Sequence, residues 1–214
     1  MHSRLIGRTL LLIATALFSA SAVSAQDAKW QIRVRAIAVV PDEEATISVI
    51  GGDVEVDNAY MPEVDFTFFF TPNIAAELIL ATTKHDAVAV GTTLGDVDLG
   101  SVWLLPPTLT LQYHLIPEGV VRPYIGAGGN LTLFYNVEVA PGSAVTEADY
   151  STSFGFALQA GADIPLGDQG WFLNVDAKKI FLSTDVDLNG GSIMADLTLD
   201  PWVIGVGFGY AFQR

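Results

Sequence analysis

From Trp30 onward the chain alternates between apolar and polar positions. Trp30, Ile32, Val34 and Ala36 fall on one face of an extended segment, with Gln31, Arg33 and Arg35 on the other, which is the two-residue period of a β-strand. Two arginines set among apolar residues do not both face lipid, where a cation at mid-membrane costs about 2–4 kcal/mol. The segment therefore predicts a strand whose odd-numbered face looks into a lumen and whose even-numbered face meets acyl chains.

The pattern returns along the chain. A second strand ends in Pro62 to Phe70, with Val64, Phe66, Phe68 and Phe70 opposite Glu63, Asp65 and Thr67, and the short turn Thr71-Pro72-Asn73 leads into a third. There Ile74, Ala76, Leu78 and Leu80 oppose Ala75, Glu77 and Ile79. Thr108 to Leu115 is a fourth, with Gln112 and His114 on its polar face, and Ile116 to Gly119 turn it into a fifth from Arg122 to about Val139. Ile125, Ala127, Leu131, Leu133, Tyr135 and Val137 share one face of the fifth, and Gly126, Gly128 and Gly129 predict a local bend in it. The sixth alternates Thr152, Phe154, Phe156, Leu158, Ala160 and Ala162 with Ser151, Ser153, Gly155, Ala157, Gln159, Gly161 and Asp163. A seventh starts at Trp171 and carries Asp176 and Lys178, and an eighth runs from Leu197 to Phe212.

Short and long connections alternate strictly, with long ones at about 41–55, 84–104, 140–149 and 183–196. An even number of strands with this asymmetry predicts an all-β fold: an eight-stranded antiparallel transmembrane β-barrel with short periplasmic turns, long extracellular loops and both mature termini in the periplasm. Trp30, Tyr113, Trp171, Tyr210 and Phe212 fall at predicted periplasmic strand ends, and Trp103 and Tyr150 at external ones, as interfacial girdles require.

Composition fits this picture. Half of the chain is hydrophobic and its mean hydropathy is +0.42, yet no segment has the roughly 18 consecutive apolar residues of a membrane-crossing helix. A sheet with one face in lipid reconciles the two, because alternate polar residues dilute every window. Residues 1–25 read as a cleaved signal peptide, with Arg4 and Arg8 before an apolar run and Val23-Ser24-Ala25 at the cleavage site, leaving 26–214 as the barrel domain. Of the 10 basic residues, Arg4 and Arg8 leave with the signal, so 8 stand against 24 acidic ones. That balance excludes nucleic acid as a partner. There is no cysteine, so neither a disulfide framework nor a thiolate site exists.

The chain also resembles the OmpW family from about Trp30 to Phe212. The resemblance is carried by Trp30-Gln31-Ile32-Arg33-Val34-Arg35, by Phe69-Phe70-Thr71-Pro72-Asn73-Ile74-Ala75-Ala76-Glu77-Leu78, by Leu105-Pro106-Pro107-Thr108-Leu109-Thr110-Leu111-Gln112-Tyr113-His114, by Arg122-Pro123-Tyr124-Ile125-Gly126-Ala127-Gly128 and by Asp200-Pro201-Trp202. It implies an eight-stranded barrel of the bacterial outer membrane with a narrow, largely apolar lumen, associated with passage of small hydrophobic compounds and lateral exit through the wall. Two features depart from the family pattern: Gln213 and Arg214 follow the usual terminal aromatic, and Phe154 stands where a tryptophan is common.

Candidate chemistry is sparse. Asp185, Asp187, Asn189 and Asp196 match the spacing of a calcium-binding loop, but strands flank them, and Asn189-Gly190 is itself a hairpin turn signal, so a hairpin tip is the better reading. Gly126, Gly128 and Gly129 precede no helix that would bind phosphate, and small residues in a barrel wall explain them. His85 lies in a predicted external loop and His114 at a periplasmic strand end, which leaves no Ser-His-acid constellation and argues against an enzyme. No cofactor is indicated.

Arg33, Arg35, Glu63, Asp65, Glu77, Gln112, Asp163, Asp176 and Lys178 are the predicted polar lumen. Eight strands leave room for little more than side chains, which favours mutual neutralisation over wide aqueous flow. Val54, Val56, Ile79, Leu133 and Phe154 form the candidate apolar pocket near the external rim. The leading expectation is a narrow outer-membrane channel for small hydrophobic molecules with lateral exit into the bilayer. Its alternative is a non-conducting structural or receptor barrel whose acidic loops bind ions, lipopolysaccharide or a surface ligand. Either way the expected partners are outer-membrane lipids, lipopolysaccharide and the barrel-assembly machinery.

Overall fold

The structure is a computed structural model that describes residues 29–212; the expected signal segment lies outside the described residues. The chain makes eight passes, most of them two strands joined through a break. Going out, β1 (Lys29–Val40) continues past Pro41 into β2 (Glu44–Ile47), and the return is β3 (Asp53–Val56) and β4 (Ala59–Phe69). Next come β5 (Ile74–Ala81) and β6 (Thr83–Thr92), then β7 (Gly95–Leu105) and β8 (Thr108–His114). The fifth pass is the single strand β9 (Arg122–Glu138), followed by β10 (Ala148–Tyr150) and β11 (Ser153–Pro165). The last two are β12 (Trp171–Phe181) with β13 (Ser183–Leu188), and β14 (Ile193–Thr198) with β15 (Trp202–Phe212).

At the short-turn end, β1, β4, β5, β8, β9, β11, β12 and β15 pair in that order, all antiparallel, and β15 closes onto β1 with Trp30 opposite Phe212. Closure leaves no backbone edge, which is what the absence of water in a bilayer demands. Val34, Leu111, Ile125 and Phe208 are exposed on the outer face, whereas Arg33, Asp65, Thr67 and Glu77 have no exposed surface. Among the described residues no helix is long and apolar enough to cross a membrane.

Three sequence-based expectations need correction. Residues 140–147 are irregular as expected, but the stretches 41–55, 84–104 and 183–196 are not merely loops. Above the closed ring they form two further sheets, β3-β6-β7-β9 and β10-β13-β14-β2, because the inward alternation of apolar residues continues through them: Val54, Ala87, Ala89, Val97, Val102, Val186, Ala195 and Leu197 build one core. Second, the glycines of β9 do not interrupt it. It is the one pass that runs unbroken for 17 residues, and the breaks fall instead at Pro41, Asp57-Asn58, Thr82, Pro106-Pro107, Ser151-Thr152, Leu182 and Leu199 to Pro201. Third, Tyr150 faces inward, its ring stacked on Phe134 at 5.3 Å, and not outward in a girdle.

Inward glycines make room for large polar neighbours. A Cβ on Gly161 would sit 2.4 Å from the Tyr124 hydroxyl, and one on Gly209 would sit 2.2 Å from the Phe172 ring. Small and large inward residues thus alternate around the wall, and the narrow lumen fills at mid-barrel.

Candidate functional site

The lumen holds two unlike layers. At mid-barrel, Arg33 on β1 reaches Asp65 (3.1 Å), Glu77 (2.9 Å) and Asp163 (3.0 Å). Two residues along, Arg35 reaches Glu63 (2.8 Å), Asp65 (2.7 Å), Glu77 (3.3 Å) and Asp176 (3.5 Å). The Arg35 Nε contact with Glu63 is an ion pair without hydrogen-bond alignment. Lys178 closes the set with Glu63 (3.1 Å) and Asp176 (2.7 Å).

Every one of the nine residues assigned to the polar lumen is in this cluster. Gln112 joins it by donating to Glu77 Oε2 at 2.9 Å. Sequence reasoning passed over several further members. Gln159 donates to Glu77 and Asp176 (2.7 and 2.9 Å), Asn174 donates to Asp163 (2.8 Å) and to the Tyr124 hydroxyl (3.0 Å), and Tyr124 donates to Asp176 (2.8 Å). Their signal was parity: each shares the inward face of a strand already assigned. With no exposed surface on Arg33, Asp65, Thr67, Glu77 or Asn174, the cluster is a plug. A polar hollow lined by Gln31, His114, Glu118, Arg122 and Asp163 opens on its short-turn side.

On the long-hairpin side lies an apolar cavity with about 880 Å³ of free space, counting its open mouth. The part comparable with a closed cavity is far smaller, about 70 Å³. Ile37, Val39, Ile79, Leu104, Ile180 and Val203 are among its walls, and Glu63 and Lys178, spent on each other, form its floor. Of the five residues expected in an apolar pocket, Val56 and Ile79 line it and Val54 packs in the core beside it. Leu133 and Phe154 do not. Both sit on outward faces, Phe154 with 82% of its surface exposed, because the inward positions of β9 and β11 here are Asn130, Thr132, Phe134 and Ser153. An aromatic constriction of the lumen therefore does not come from Phe154.

The backbone ladder beside this cavity is interrupted, with Thr82 Oγ1 donating across the break to Leu104 O at 3.2 Å. The β5–β8 ladder ends at Ile79 opposite Thr108, and the β6–β7 ladder begins at Thr83 opposite Leu104, in the same register. Between them Leu80–Thr82 and Leu105–Pro107 share no ladder bonds. Pro107 turns its carbonyl toward β9, where it accepts from Leu131 N at 3.0 Å, so by alternation Pro106 faces Ala81. Proline has no N–H to offer there. Its carbonyl instead accepts from Thr108 Oγ1 (3.0 Å) and Asn130 Nδ2 (3.4 Å). Ala81, Thr83, Leu104 and Pro106 border the aperture and line the cavity as well.

The predicted cation loop is a hairpin. Asn189, Gly190 and Gly191 take positive φ at its tip, and the Asn189 side chain is committed to Thr146 (2.7 Å to N) and Ala144 O (3.1 Å). Asp185, Asp187 and Asp196 lie on the outer face of β13 and β14, with Asp185 opposite Asp196. No group of three metal-ligating side chains converges among the described residues.

Comparison with known proteins agrees with this architecture. Residues 26–212 match the model of the OmpW family. An outer-membrane protein of Sinorhizobium fredii, y4mB, is 43% identical over 89% of this chain and 82% of its own. The dibenzothiophene metabolism operon protein PahQ of Pseudomonas aeruginosa is 30% identical over 97% of this chain and 100% of its own, and outer membrane protein W of Salmonella typhimurium is 30% identical over 92% and 95%. Among solved structures, outer membrane protein OprG of Pseudomonas aeruginosa superposes with a TM-score of 0.81 at 26% identity, covering 91% of this chain and 100% of that one. With a family match over nearly the whole chain, relatives named as outer-membrane proteins and a closed eight-stranded barrel, this chain belongs to the OmpW family of outer-membrane proteins.

Proposed function

We propose that this barrel admits small hydrophobic molecules into the apolar cavity from the external side and releases them sideways into the bilayer through the aperture at Leu80–Thr82 and Leu105–Pro107. The observation that carries the reading is the position of that aperture, directly beside the cavity and above the buried ionic plug. An apolar solute arriving on Glu63 and Lys178 gains nothing from descending, since the side chains below are charged and buried in ion pairs. Non-helical backbone with unmade ladder bonds survives at membrane depth only where it lines a cavity, so the gap and the cavity explain each other. The operon name of the Pseudomonas relative points to an apolar fused-ring compound, the class the cavity walls suit.

Proteoliposomes loaded with a lipid-phase quencher test this. Uptake of naphthalene should exceed that of protein-free vesicles, while a charged solute of equal size stays at background. Equal background rates for both would refute transport. They would leave the reading of a non-conducting barrel, whose acidic outer strands bind ions or lipopolysaccharide.

A further inference from the structure

The walls of the cavity are not uniformly apolar. Thr83 and His85 are neighbours on the inward face of β6, 3% and 5% exposed, and both line it. The imidazole Nδ1 lies 2.8 Å from the carbonyl oxygen of Asp57, at the break between β3 and β4. A carbonyl accepts only, so Nδ1 carries the proton and donates. In the neutral ring Nε2 is then an acceptor, and it has no hydrogen-bond partner among the described residues. The Thr83 hydroxyl likewise has none, whereas Thr108, Thr132, Glu63 and Lys178 are all engaged elsewhere. One wall thus presents a free acceptor and, one inward position away, a hydroxyl that donates or accepts.

We infer that this pair selects, among apolar molecules, those bearing one neutral hydroxyl, whose proton is donated to His85 Nε2 while its oxygen accepts from Thr83. The inference rests on the cavity reading above and deepens it by naming the substrate class: phenols and alcohols in preference to the parent hydrocarbon or its ether. A carboxylate does not qualify. It has no proton for Nε2 at neutral pH, Lys178 is already neutralised by Glu63 and Asp176, and the acidic outer hairpins oppose its approach. Leaving Nε2 and the Thr83 hydroxyl without partners beneath an apolar ligand costs more than their pairing gains, and this asymmetry is what makes buried polar groups discriminate.

The test uses the full barrel in nanodiscs with 2-naphthol, 2-methoxynaphthalene and naphthalene, three rigid neutral probes of which the first alone donates a proton. Protein-free discs correct for lipid partition. Binding is followed on ¹⁵N-histidine-labelled protein, where a hydrogen bond accepted by Nε2 moves that resonance. The wild type should bind 2-naphthol about tenfold more tightly than the methyl ether and show the Nε2 shift with naphthol alone. His85→Asn keeps a donor for the Asp57 carbonyl but offers no Nε2, and should bring the ratio close to one. Thr83→Val preserves the shape of β6 and should reduce the ratio while retaining the Nε2 shift, which keeps the test valid if the His85 variant assembles poorly. Equal affinities for all three probes in the wild type, or an unchanged ratio in the variants, overturn hydroxyl selection alone. No binding of any probe overturns it together with the cavity reading.

Discussion

Restoring one backbone donor at Pro106 should close the lateral route. Ile79 opposite Thr108 and Thr83 opposite Leu104 keep one register on both sides of the aperture, so Pro106→Val places its new N–H against the carbonyl of Ala81 with no strand slip. A β-branched residue also suits a strand. The exchange makes available one ladder bond directly, and a second if the residue-106 carbonyl turns back from Thr108 and Asn130 toward Ala81. At about 0.5–1.5 kcal/mol each in water, and more where the alternative is an unmade bond facing lipid, the pair stabilises the closed wall by about 2 kcal/mol. The open population then falls roughly 30-fold.

The assay is uptake of naphthalene into proteoliposomes, with heat-modifiable electrophoretic mobility confirming that each variant is a folded barrel. Pro107→Val is the control. Its N–H faces β9, where the carbonyl of residue 107 already accepts from Leu131, so the bond it restores seals nothing toward β5 and uptake should stay near wild type. A folded Pro106→Val barrel with undiminished uptake, or equal losses in both variants, would refute the assignment of this gap as the exit.

Other expectations follow from the same geometry. Arg33→Met leaves Asp163 without a cation and Asp65 and Glu77 with Arg35 alone and should lower unfolding stability in urea-containing micelles by about 3–5 kcal/mol, the cost of breaking a buried pair; a change under 1 kcal/mol would mean that water already hydrates the plug. Gly209→Ala drives a Cβ into the Phe172 ring and should cost about 1–3 kcal/mol in the same measurement. Burial holds the His85 imidazole below its usual 6.5, outweighing the backbone bond to Asp57 and the carboxylates of Asp86 and Asp57, with Glu63, Lys178 and the Tyr150 hydroxyl the other titratable groups lining the cavity. Nε2 therefore remains an acceptor from pH 8 down through 6.5, and the 2-naphthol to methyl-ether binding ratio should hold over that window and fall at more acid pH. The hydrogen bond to Asp196, then burial and the charges of Asp196 and Asp187, raises the Asp185 carboxyl, so its contribution is favourable at low pH and is lost as pH rises through the raised value. At pH 7, Asp185→Asn should slow hydrogen exchange in the β13–β14 hairpin, and faster exchange would contradict the pairing.

Much of the membrane barrel was legible in alternation, because lipid on one side and a packed lumen on the other force a strict period of two. Arg33 and Arg35 among apolar neighbours were enough to orient β1, and Glu63, Asp65 and Glu77 then fell on the matching face. Legibility failed where that constraint relaxes. Beyond the bilayer the outer face turns polar and turn-like residues interrupt the strands, so β2, β3, β6, β7, β13 and β14 read as loops although their inward positions remain apolar. Breaks also reset parity. Tyr150 and Ser153 both point inward across Ser151-Thr152, which no alternation rule counted from either side would give. Leu133 and Phe154 were misplaced for a different reason: they stand at the height of the cavity but on outward parity. His85 was invisible as a site residue, since its partner is a backbone carbonyl 28 residues away.

The two routes out of the cavity differ in what they must break. Axial passage toward the short-turn end crosses nine ion-pair contacts of 3.5 Å or less, among side chains with almost no exposed surface. Removing one partner of such a pair already costs several kcal/mol, and an apolar solute returns nothing to the carboxylates it separates. Lateral passage asks for no bond to be broken at Ala81, because Pro106 has no N–H with which to make it, and the solute moves from one apolar surrounding into another. If solute leaves as proposed, the plug acts on direction: the more completely Arg33, Arg35 and Lys178 are satisfied, the higher the axial barrier and the larger the share of flux that would leave through the wall. A variant that loosens the plug while leaving Pro106 in place should therefore raise leakage of small ions without raising delivery of naphthalene to lipid, and the separation of those two readouts in one vesicle preparation distinguishes a sealed floor from a gated pore.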